Sequence, residues 1–433
     1  MHPLAKKFKS EHLARAGMSQ LTSIHMLRCR YLEQTAEFVG LHDGYYKLHK
    51  VGLEGYASGG GIEHLPTIER QTAQRHPRDF FCRTDLPCTM YFTGGTSGPP
   101  LALFRSAAEQ EALANMLAAL FVPPPRKLAT LALEGFNHGE TLPSQVEQLF
   151  TAPLIVSSHY KNALEFMGQG IVFPTGDCAV EVLRTSALTA KALFQFASEN
   201  ELDFGNSLQT IVTTSSHLTR HWKDRIRSFA KCDIKATYGL TEFCEGIAWE
   251  CPACSCFHFP PSVFPELDGE EIGELIMSSL YPFSQVQLFL RYRTGDLFRR
   301  HNVCSLYDDH GYSFIGRVKD CAMAADKDGQ RAWLSPVAIA EVLDAVNLGS
   351  LAQHADLQAV LGAPAPGRRL FEIETRDNKL VVRIAAQPGE RTDLSDIADL
   401  ILKQNFVLTG LELPTRLTVE THDVRSIVNP AIY

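Results

Sequence analysis

Between residues 128 and 229, short apolar segments alternate with amphipathic ones, and this alternation limits the fold more than any other feature of the chain. Leu128–Leu133 and Leu154–Val156 read as apolar strands, and Leu208–Thr214 as a β-branched one. Ser186–Glu199 reads as an amphipathic helix, with Leu188, Leu193, Phe194 and Phe196 at roughly helical spacing, and Leu218–Phe229 as a basic helix. Strands separated by helices need crossover connections, so the pattern predicts an α/β fold with a largely parallel sheet.

The flanking segments differ. Residues 1 to 80 are polar, with Glu11–Phe38 as the best helical stretch and Gly55–Ile62 as a loop. Glu271–Ser278 and Gln285–Tyr292 read as a strand pair. Composition changes over residues 316–332. Beyond it, Ser335–Val346 reads as a helix with Ser335 as N-cap and Pro336 at its first position. Phe371–Thr375 and Lys379–Ile384 are strands joined by a turn at Arg376–Asn378, Thr392–Asn405 is a helix, and Arg416–Thr421 is a last strand. The reading is a large domain over 1–319, with parallel-rich sheets, and a small α+β domain over 320–433 hinged onto it.

Composition excludes several classes. The 433 residues carry 45% hydrophobic content, enough for a large core in two or more domains. Net charge is −8 and the basic residues are scattered, which argues against a nucleic-acid partner. No run approaches the ~18 apolar residues of a membrane helix. The first residues are charged but lack an apolar stretch behind them, so no secretion signal is expected. Eleven cysteines, an odd count, then suggest a reducing, cytoplasmic setting and metal binding rather than disulfides.

Thr93-Gly94-Gly95-Thr96-Ser97-Gly98 places three glycines and three hydroxyls in six positions after an apolar run. Glycines let backbone approach an anion closely, and successive amides plus the hydroxyls of Thr96 and Ser97 favour phosphate. The loop lacks the Gly-Lys-Ser/Thr ending of a P-loop. Downstream lies Ala236-Thr-Tyr-Gly-Leu-Thr-Glu242, where a strand entering Tyr238-Gly239 would end in a turn that exposes Thr241 and Glu242. An aromatic there can stack on a purine, and a carboxylate beside phosphates commonly holds magnesium. Tyr292-Arg-Thr-Gly-Asp296 offers a carboxylate that can accept from both ribose hydroxyls. Phe314-Ile-Gly-Arg-Val-Lys-Asp320 puts Arg317 and Asp320 at the domain junction.

In order and spacing these four motifs resemble those of the adenylate-forming acyl ligase superfamily, most of all its phenylacetate–CoA ligase branch. The resemblance runs from about residue 80 to at least 345. It covers Gly94–Gly98, Tyr238–Glu242 with its continuation to Cys251, Tyr292–Asp296, Gly316–Asp320 and the helix at Ser335–Leu343. It implies attack of a carboxylate on the α-phosphorus of ATP with magnesium, then displacement of AMP by a thiol, coenzyme A or an acyl carrier protein, as the small domain swings. It also implies that Thr93–Gly98 hold phosphates, with Thr96, Thr241 and Glu242 at the reacting centre and Glu242 on magnesium. Tyr238 and Gly239 would meet adenine, Asp296 and Arg317 ribose, and Asp320 would be the hinge. Ser215 and Ser216 stand where relatives line the adenine and acyl pockets. Phe136 and His138 are further acyl-pocket candidates, and an aromatic acid is the implied substrate. Relatives are often homodimers, an analogy only.

The chain departs from the pattern in three places, one of them the hinge segment, where Ala322-Met-Ala-Ala-Asp-Lys-Asp-Gly329 replaces an apolar-Gly loop. The phosphate loop continues Gly98-Pro99-Pro100 without a lysine. Relatives end with a Gly-Lys motif, whereas Glu420–Tyr433 contains no lysine and offers only Arg425. Arginine does not replace lysine neutrally at a geometric site. Two further readings therefore stand beside the thiol ligase: an N-acylating ligase that uses the adenylate directly, and a nucleotide-binding protein without catalysis.

Cys251-Pro-Ala-Cys254-Ser-Cys256-Phe-His258 gathers soft ligands in eight residues, and Cys304 lies after the Thr-Gly-Asp motif. Cys-x-x-Cys spacing brings two thiolates onto one tetrahedral ion. The expectation is a structural zinc held by Cys251, Cys254 or Cys256, His258 and Cys304.

Overall fold

The structure is a computed structural model and describes residues 24–40, 62–93, 100–113, 128–134, 147–153, 157–173, 176–202, 207–325, 331–347, 370–376, 379–385, 394–413, 416–422 and 431–432. Its first strands, β1 (Cys88–Phe92) and β2 (Ala102–Ser106), form an antiparallel hairpin. A second small hairpin is β5 (Ile171–Phe173) with β6 (Gly176–Cys178).

Among the described residues the main sheet has eleven strands. Its parallel half runs β4 (Glu147–Pro153), β3 (Leu128–Glu134), β7 (Val182–Ser186), β8 (Thr210–Thr214), β9 (Asp233–Leu240). Its antiparallel half continues from β9 through β10 (Cys244–Glu250), β11 (Phe257–His258), β15 (Asp309–Arg317), β14 (Tyr292–Cys304), β13 (Ile272–Ser279) and β12 (Val263–Asp268). The sheet is therefore mixed, and β9 is the strand at which it changes sense.

Helices cover the parallel half as the alternation requires. In α4 (Ala187–Glu199), Ala190, Leu193, Phe194 and Ala197 recur at three- and four-residue spacing and are buried. Ser186 caps it, its hydroxyl accepting from Thr189 N at 3.0 Å. In α5 (Arg220–Ala230) only Trp222 and Ile226 are buried, one turn apart. These helices share a core with α3 (Ser157–Gln169). The antiparallel half packs instead on α1 (Ile24–Gly40) and the apolar residues around the short α2 (Arg70–Arg75). Arg28 on α1 is buried and pairs with Asp309 of β15 at 2.9 Å. Of the predicted helix Glu11–Phe38, residues 11–23 lie outside the described residues.

A third core joins the β16 (Ala322–Ala325) and β17 (Arg331–Leu334) hairpin, α6 (Pro336–Val346) and a four-stranded sheet. That sheet pairs β18 (Leu370–Arg376) with β19 (Lys379–Ala385), then β20 (Leu417–His422) parallel to β19 and β21 (Ala431–Ile432) on β18. The cap of α6 is as expected: Ser335 Oγ accepts from Ala338 N, and Pro336 opens the helix.

Two expectations need correction, and a third falls on residues that are not described. Leu154–Val156 lies outside the described residues, and the strand is the preceding Glu147–Pro153, an edge strand where Glu147, Gln148 and a terminal Pro153 are tolerated. Gln285–Arg291 forms no strand: its backbone bonds to Phe80, Cys82, Arg83 and Ser279, and β13 pairs with β12 and β14 instead. The run Val286, Leu288, Phe289, Leu290 is apolar because it is buried on both sides. Helix α7 (Ser395–Thr409) runs beyond the expected Asn405. Asn405 is fully buried, accepting from Ser335 N at 2.9 Å and donating to Trp333 O at 3.0 Å, and the helix ends at left-handed Gly410. Among the described residues no helix is long and apolar enough to cross a membrane.

A candidate nucleotide site and a candidate metal centre

Open α/β sheets bind ligands beyond the carboxyl ends of their parallel strands, where the topology changes. Here that place lies past β8 and β9. Strand β8 ends at Thr214, and Ser215 follows in a left-handed conformation, φ 68°. Ser216 Oγ is enclosed without a hydrogen-bond partner among the described residues. Strand β9 carries Tyr238 and Gly239 at its end, and the turn Thr241–Phe243 leads into β10.

Asp296 reaches the same place from β14. Gly295, at φ 73°, turns the backbone there, and Thr294 Oγ1 donates to Leu275 O and accepts from Asp296 N. Asp296 is cross-strand partner of Arg317, whose Nε lies 2.9 Å from Oδ1. Tyr238 donates to the other oxygen at 2.8 Å. Asp296 is 1% exposed, and Oδ1 makes no hydrogen bond among the described residues despite its guanidinium neighbour. Burial holds its carboxyl above the usual range, with Arg317 and Tyr238 opposing. Burial and the Asp296 charge push the Tyr238 phenol far up, so it remains a donor. The Tyr238 ring packs with Phe257, Phe259, Phe298 and Phe314 at centroid distances of 6.3, 6.0, 4.9 and 6.4 Å.

Glu242 differs from expectation: it is 7% exposed, not presented at a turn surface. Tyr292 donates to its Oε1 at 2.8 Å and Arg70 NH1 lies 3.6 Å from the same oxygen, so Oε2 is unengaged among the described residues. Burial, then the Glu242 charge, raise the Tyr292 phenol well above its ordinary value. Arg105 on β2 donates to Thr241 O at 2.9 Å and fixes the turn. Thr93 closes the neck of the glycine loop: its Oγ1 accepts from Leu101 N at 2.9 Å and Arg70 NH2 at 2.7 Å, and its N–H donates to Leu101 O.

The structure thus brings Ser215, Ser216, Tyr238, Gly239, Thr241, Glu242, Asp296 and Arg317 to one end of the sheet and adds Thr93 through Arg70. Gly94, Gly95, Thr96, Ser97, Gly98, Phe136, His138 and Arg425 lie outside the described residues. Asp320 ends a single 3-10 turn after Arg317, half-buried, and burial raises its carboxyl. Sequence reasoning missed Arg70, Arg105 and the role of Tyr292. Tyr292 was within reach, since it begins the Thr-Gly-Asp motif, but the arginines sit in stretches with no motif.

The second cluster lies at the far ends of the same strands. The donor atoms of Cys251, Cys254, His258 and Cys304 fall within 4.8 Å of one another, and all but Cys254 are buried. A tetrahedral zinc with Zn–S of ~2.3 Å and Zn–N of ~2.0 Å implies edges of about 3.8 Å between sulfurs and about 3.6 Å between sulfur and nitrogen. Cys251 and Cys304 sulfurs are 3.9 Å apart, and Cys254 Sγ is 3.3 Å from His258 Nε2. The donor set therefore fits the ion. Cys256 points elsewhere, donating to Cys254 O and lying 3.8 Å from Ser313 Oγ. Burial lowers the His258 pKa to about 4, which leaves the imidazole neutral with a lone pair to give. Cys251 and Cys254 are joined by a turn in which Ala253 N donates to Cys251 Sγ at 3.3 Å and Ser255 is left-handed.

No protein-family profile matches the chain, and no curated protein matches it in sequence. Solved structures do match in fold. Against 2-hydroxyisobutyryl-CoA ligase in the postadenylation state, in complex with R3-HIB-AMP, the TM-score is 0.64 at 14% identity, covering 93% of this chain and 87% of that one. Against the same ligase with 2-HIB-AMP and CoA in the thioesterification state it is 0.55 at 15% identity, covering 92% and 86%. Against ATP-bound MatB from Rhodopseudomonas palustris it is 0.50 at 13% identity, covering 77% and 64%. The chain has the fold of 2-hydroxyisobutyryl-CoA ligase and of MatB.

Proposed function

We propose that the protein activates a small carboxylic acid with ATP, releasing pyrophosphate and forming an acyl-AMP, and then transfers the acyl group to a thiol. One observation carries this reading. Two buried carboxylates, Asp296 and Glu242, stand with Tyr238 and Arg317 at the switch point of a sheet whose fold is that of acyl-CoA ligases.

In the first step an acid oxygen forms a bond to the α-phosphorus, the bond to the bridging oxygen breaks, and the electron pair leaves with pyrophosphate. In the second the thiol sulfur bonds to the acyl carbon, AMP leaves, and the thiol proton passes to solvent. Phosphoryl transfer of this kind rests on positioning and charge neutralisation. Asp296, with an oxygen free of hydrogen bonds, suits ribose hydroxyls. Tyr238 orients Asp296, and Thr241 is held toward the site through Arg105. Ser216 offers a further enclosed hydroxyl. Glu242 would hold magnesium through Oε2, and the ion would supply charge neutralisation at the phosphates. Coenzyme A is the first acceptor to test, with a carrier-protein thiol second, and an aromatic acid is the first substrate class. Residues 320–433 form the unit we assign to the swing, with Asp320 as pivot; a core of their own supports this. Cys251, Cys254, His258 and Cys304 would hold a structural zinc that clips β10, β11 and β14 together at the ends away from the nucleotide residues.

The test is ATP–pyrophosphate exchange with magnesium across aromatic and short aliphatic acids. Exchange that depends on one acid supports adenylation and names the class. ATP binding without exchange for any acid would leave a nucleotide-binding protein in its place.

A further inference from the structure

Adenylation makes an anion of high charge, pyrophosphate, and two segments where the family resemblance implies a lysine carry none. The glycine loop runs into Pro99-Pro100, and Glu420–Tyr433 contains no lysine. Three arginines contact the candidate site among the described residues. Arg317 is paired with Asp296 at 2.9 Å. Arg105 is 4% exposed and donates to the Thr241 carbonyl. Arg70 is different. Its side chain keeps 26% exposure and joins the loop neck to the second carboxylate, with NH2 donating to Thr93 Oγ1 at 2.7 Å and NH1 3.6 Å from Glu242 Oε1.

We propose that Arg70 is the cation that binds the β- and γ-phosphates of ATP and takes up the charge of the leaving pyrophosphate, an inference that rests on the adenylating function above. Three features carry it. Arg70 sits on the loop side of the site: the contacts run Tyr292–Glu242–Arg70–Thr93, whereas the ribose-side contacts run Tyr238–Asp296–Arg317. Its guanidinium is under-used, because among the described residues it makes one hydrogen bond, to a neutral hydroxyl, and Nε has no partner. Its relation to Glu242 is neutralisation at 3.6 Å without a hydrogen bond, so a phosphate can engage NH1 at little cost. As the bond from α-phosphorus to bridging oxygen breaks, the electron pair moves onto that oxygen, and a fork of charged donors stabilises the product more than the starting triphosphate. The position also offers a charge in place of a lysine in the loop: it comes from α2 through Arg70, next to Thr93, and the fork matches phosphate geometry where a lysine would not.

The experiment compares binding of ATP with magnesium, of magnesium pyrophosphate and of AMP to the full-length protein and to Arg70→Gln and Arg70→Lys, with melting temperature recorded for each. AMP lacks the phosphates assigned to Arg70. Arg70→Gln is expected to lose about tenfold or more in affinity for ATP and for pyrophosphate, while AMP affinity changes less than about threefold. Arg70→Lys, which keeps the charge but not the fork, falls between. Equal losses for ATP and AMP, or no loss for ATP, would overturn the assignment and leave Arg70 a structural tie between Thr93 and Glu242. Should Arg70→Gln fail to fold, an unchanged ratio of ATP to AMP affinity in Arg70→Lys overturns it as well. If the unaltered protein binds neither ATP nor AMP, the adenylating function itself falls, and Arg70 with it.

Discussion

Lys191 and Asp344 form an ion pair with neither side chain exposed, Nζ lying 3.2 Å from Oδ2. They come from different cores, Lys191 from α4 against the parallel sheet and Asp344 from α6 of the carboxyl-terminal unit. Thr219 donates to the same Asp344 oxygen at 2.6 Å. One turn earlier on α6, Glu341 accepts from Arg220 N at 2.9 Å and lies 2.7 Å from His217 Nε2, so it caps α5 from another helix. Thr219 is the N-cap residue by position but does not cap with its side chain, and Glu341 fills that role.

A buried charge left without its partner is costly. Asp344→Ala is expected to destabilise the protein by about 3–5 kcal/mol, because it removes the buried carboxylate that faces the Lys191 charge and accepts from Thr219. Lys191→Met with Asp344→Leu should cost much less than the sum of the two single changes. Denaturant unfolding of the two single variants and the pair measures this, and strict additivity would show that the pair is not coupled. Glu341→Gln should cost about 1 kcal/mol through the weakened cap.

Asp296 sets function against stability. The folded chain binds the Asp296 proton more tightly than the unfolded chain does, since burial raises its pKa from the ordinary 3.8. The sign follows from linkage: this group's contribution is most favourable at acid pH and declines as pH rises from 3.8 through the folded value. Asp296→Asn removes that decline. It should melt above the unaltered protein at pH 7, with the advantage shrinking as pH falls toward 4. AMP affinity should drop about tenfold or more, because with Oδ2 engaged by Tyr238 the amide nitrogen replaces Oδ1, the acceptor left to ribose, and the charge is lost. Thermal scans across pH and AMP titration decide both halves.

The cysteine cluster gives a prediction with an internal control. The unaltered protein should carry one zinc per chain by metal analysis, as should Cys256→Ser. Cys254→Ser and Cys304→Ser should lose it. Retention of zinc by Cys254→Ser together with its loss in Cys256→Ser would exchange the two cysteines. Chelation should lower the melting temperature by several degrees, since ligand binding to the folded state alone adds to stability.

Local chemistry was legible in the sequence, and contacts across the chain were not. Ser335 and Pro336 announced α6 because cap and first turn are neighbours in sequence. Asp296 and Arg317 were legible as motifs, but only strand register makes them a pair. Cys254 and Cys256 could not be told apart by spacing; the choice comes from Cys251 N bonding to Cys256 O, which closes the turn and leaves the Cys256 side chain near Ser313. Arg70 had no signal, as its partner Thr93 lies 23 residues on and Glu242 much further. The apolar run at Gln285–Tyr292 misled because burial on both sides mimics a strand without requiring one.

Gly316 tests the joint between the sheet and the carboxyl-terminal unit. It sits at φ 151°, and a Cβ there would lie 2.4 Å from Pro336 Cγ and 3.1 Å from Cys321 Sγ. Pro336 opens α6, whose cap residue Ser335 donates to Ile315 O at 2.5 Å, so residues 315 and 316 form the seat of that helix. Arg317 follows directly and pairs with Asp296. Gly316→Ala is expected to destabilise by about 1–3 kcal/mol, from the unfavourable backbone angle and the displaced proline together. Because the displacement reaches Arg317, AMP affinity should fall as well, although residue 316 offers no side chain to a nucleotide. A loss of stability with unchanged AMP affinity would separate the seat of α6 from the ribose site, and denaturant unfolding beside AMP titration reads both.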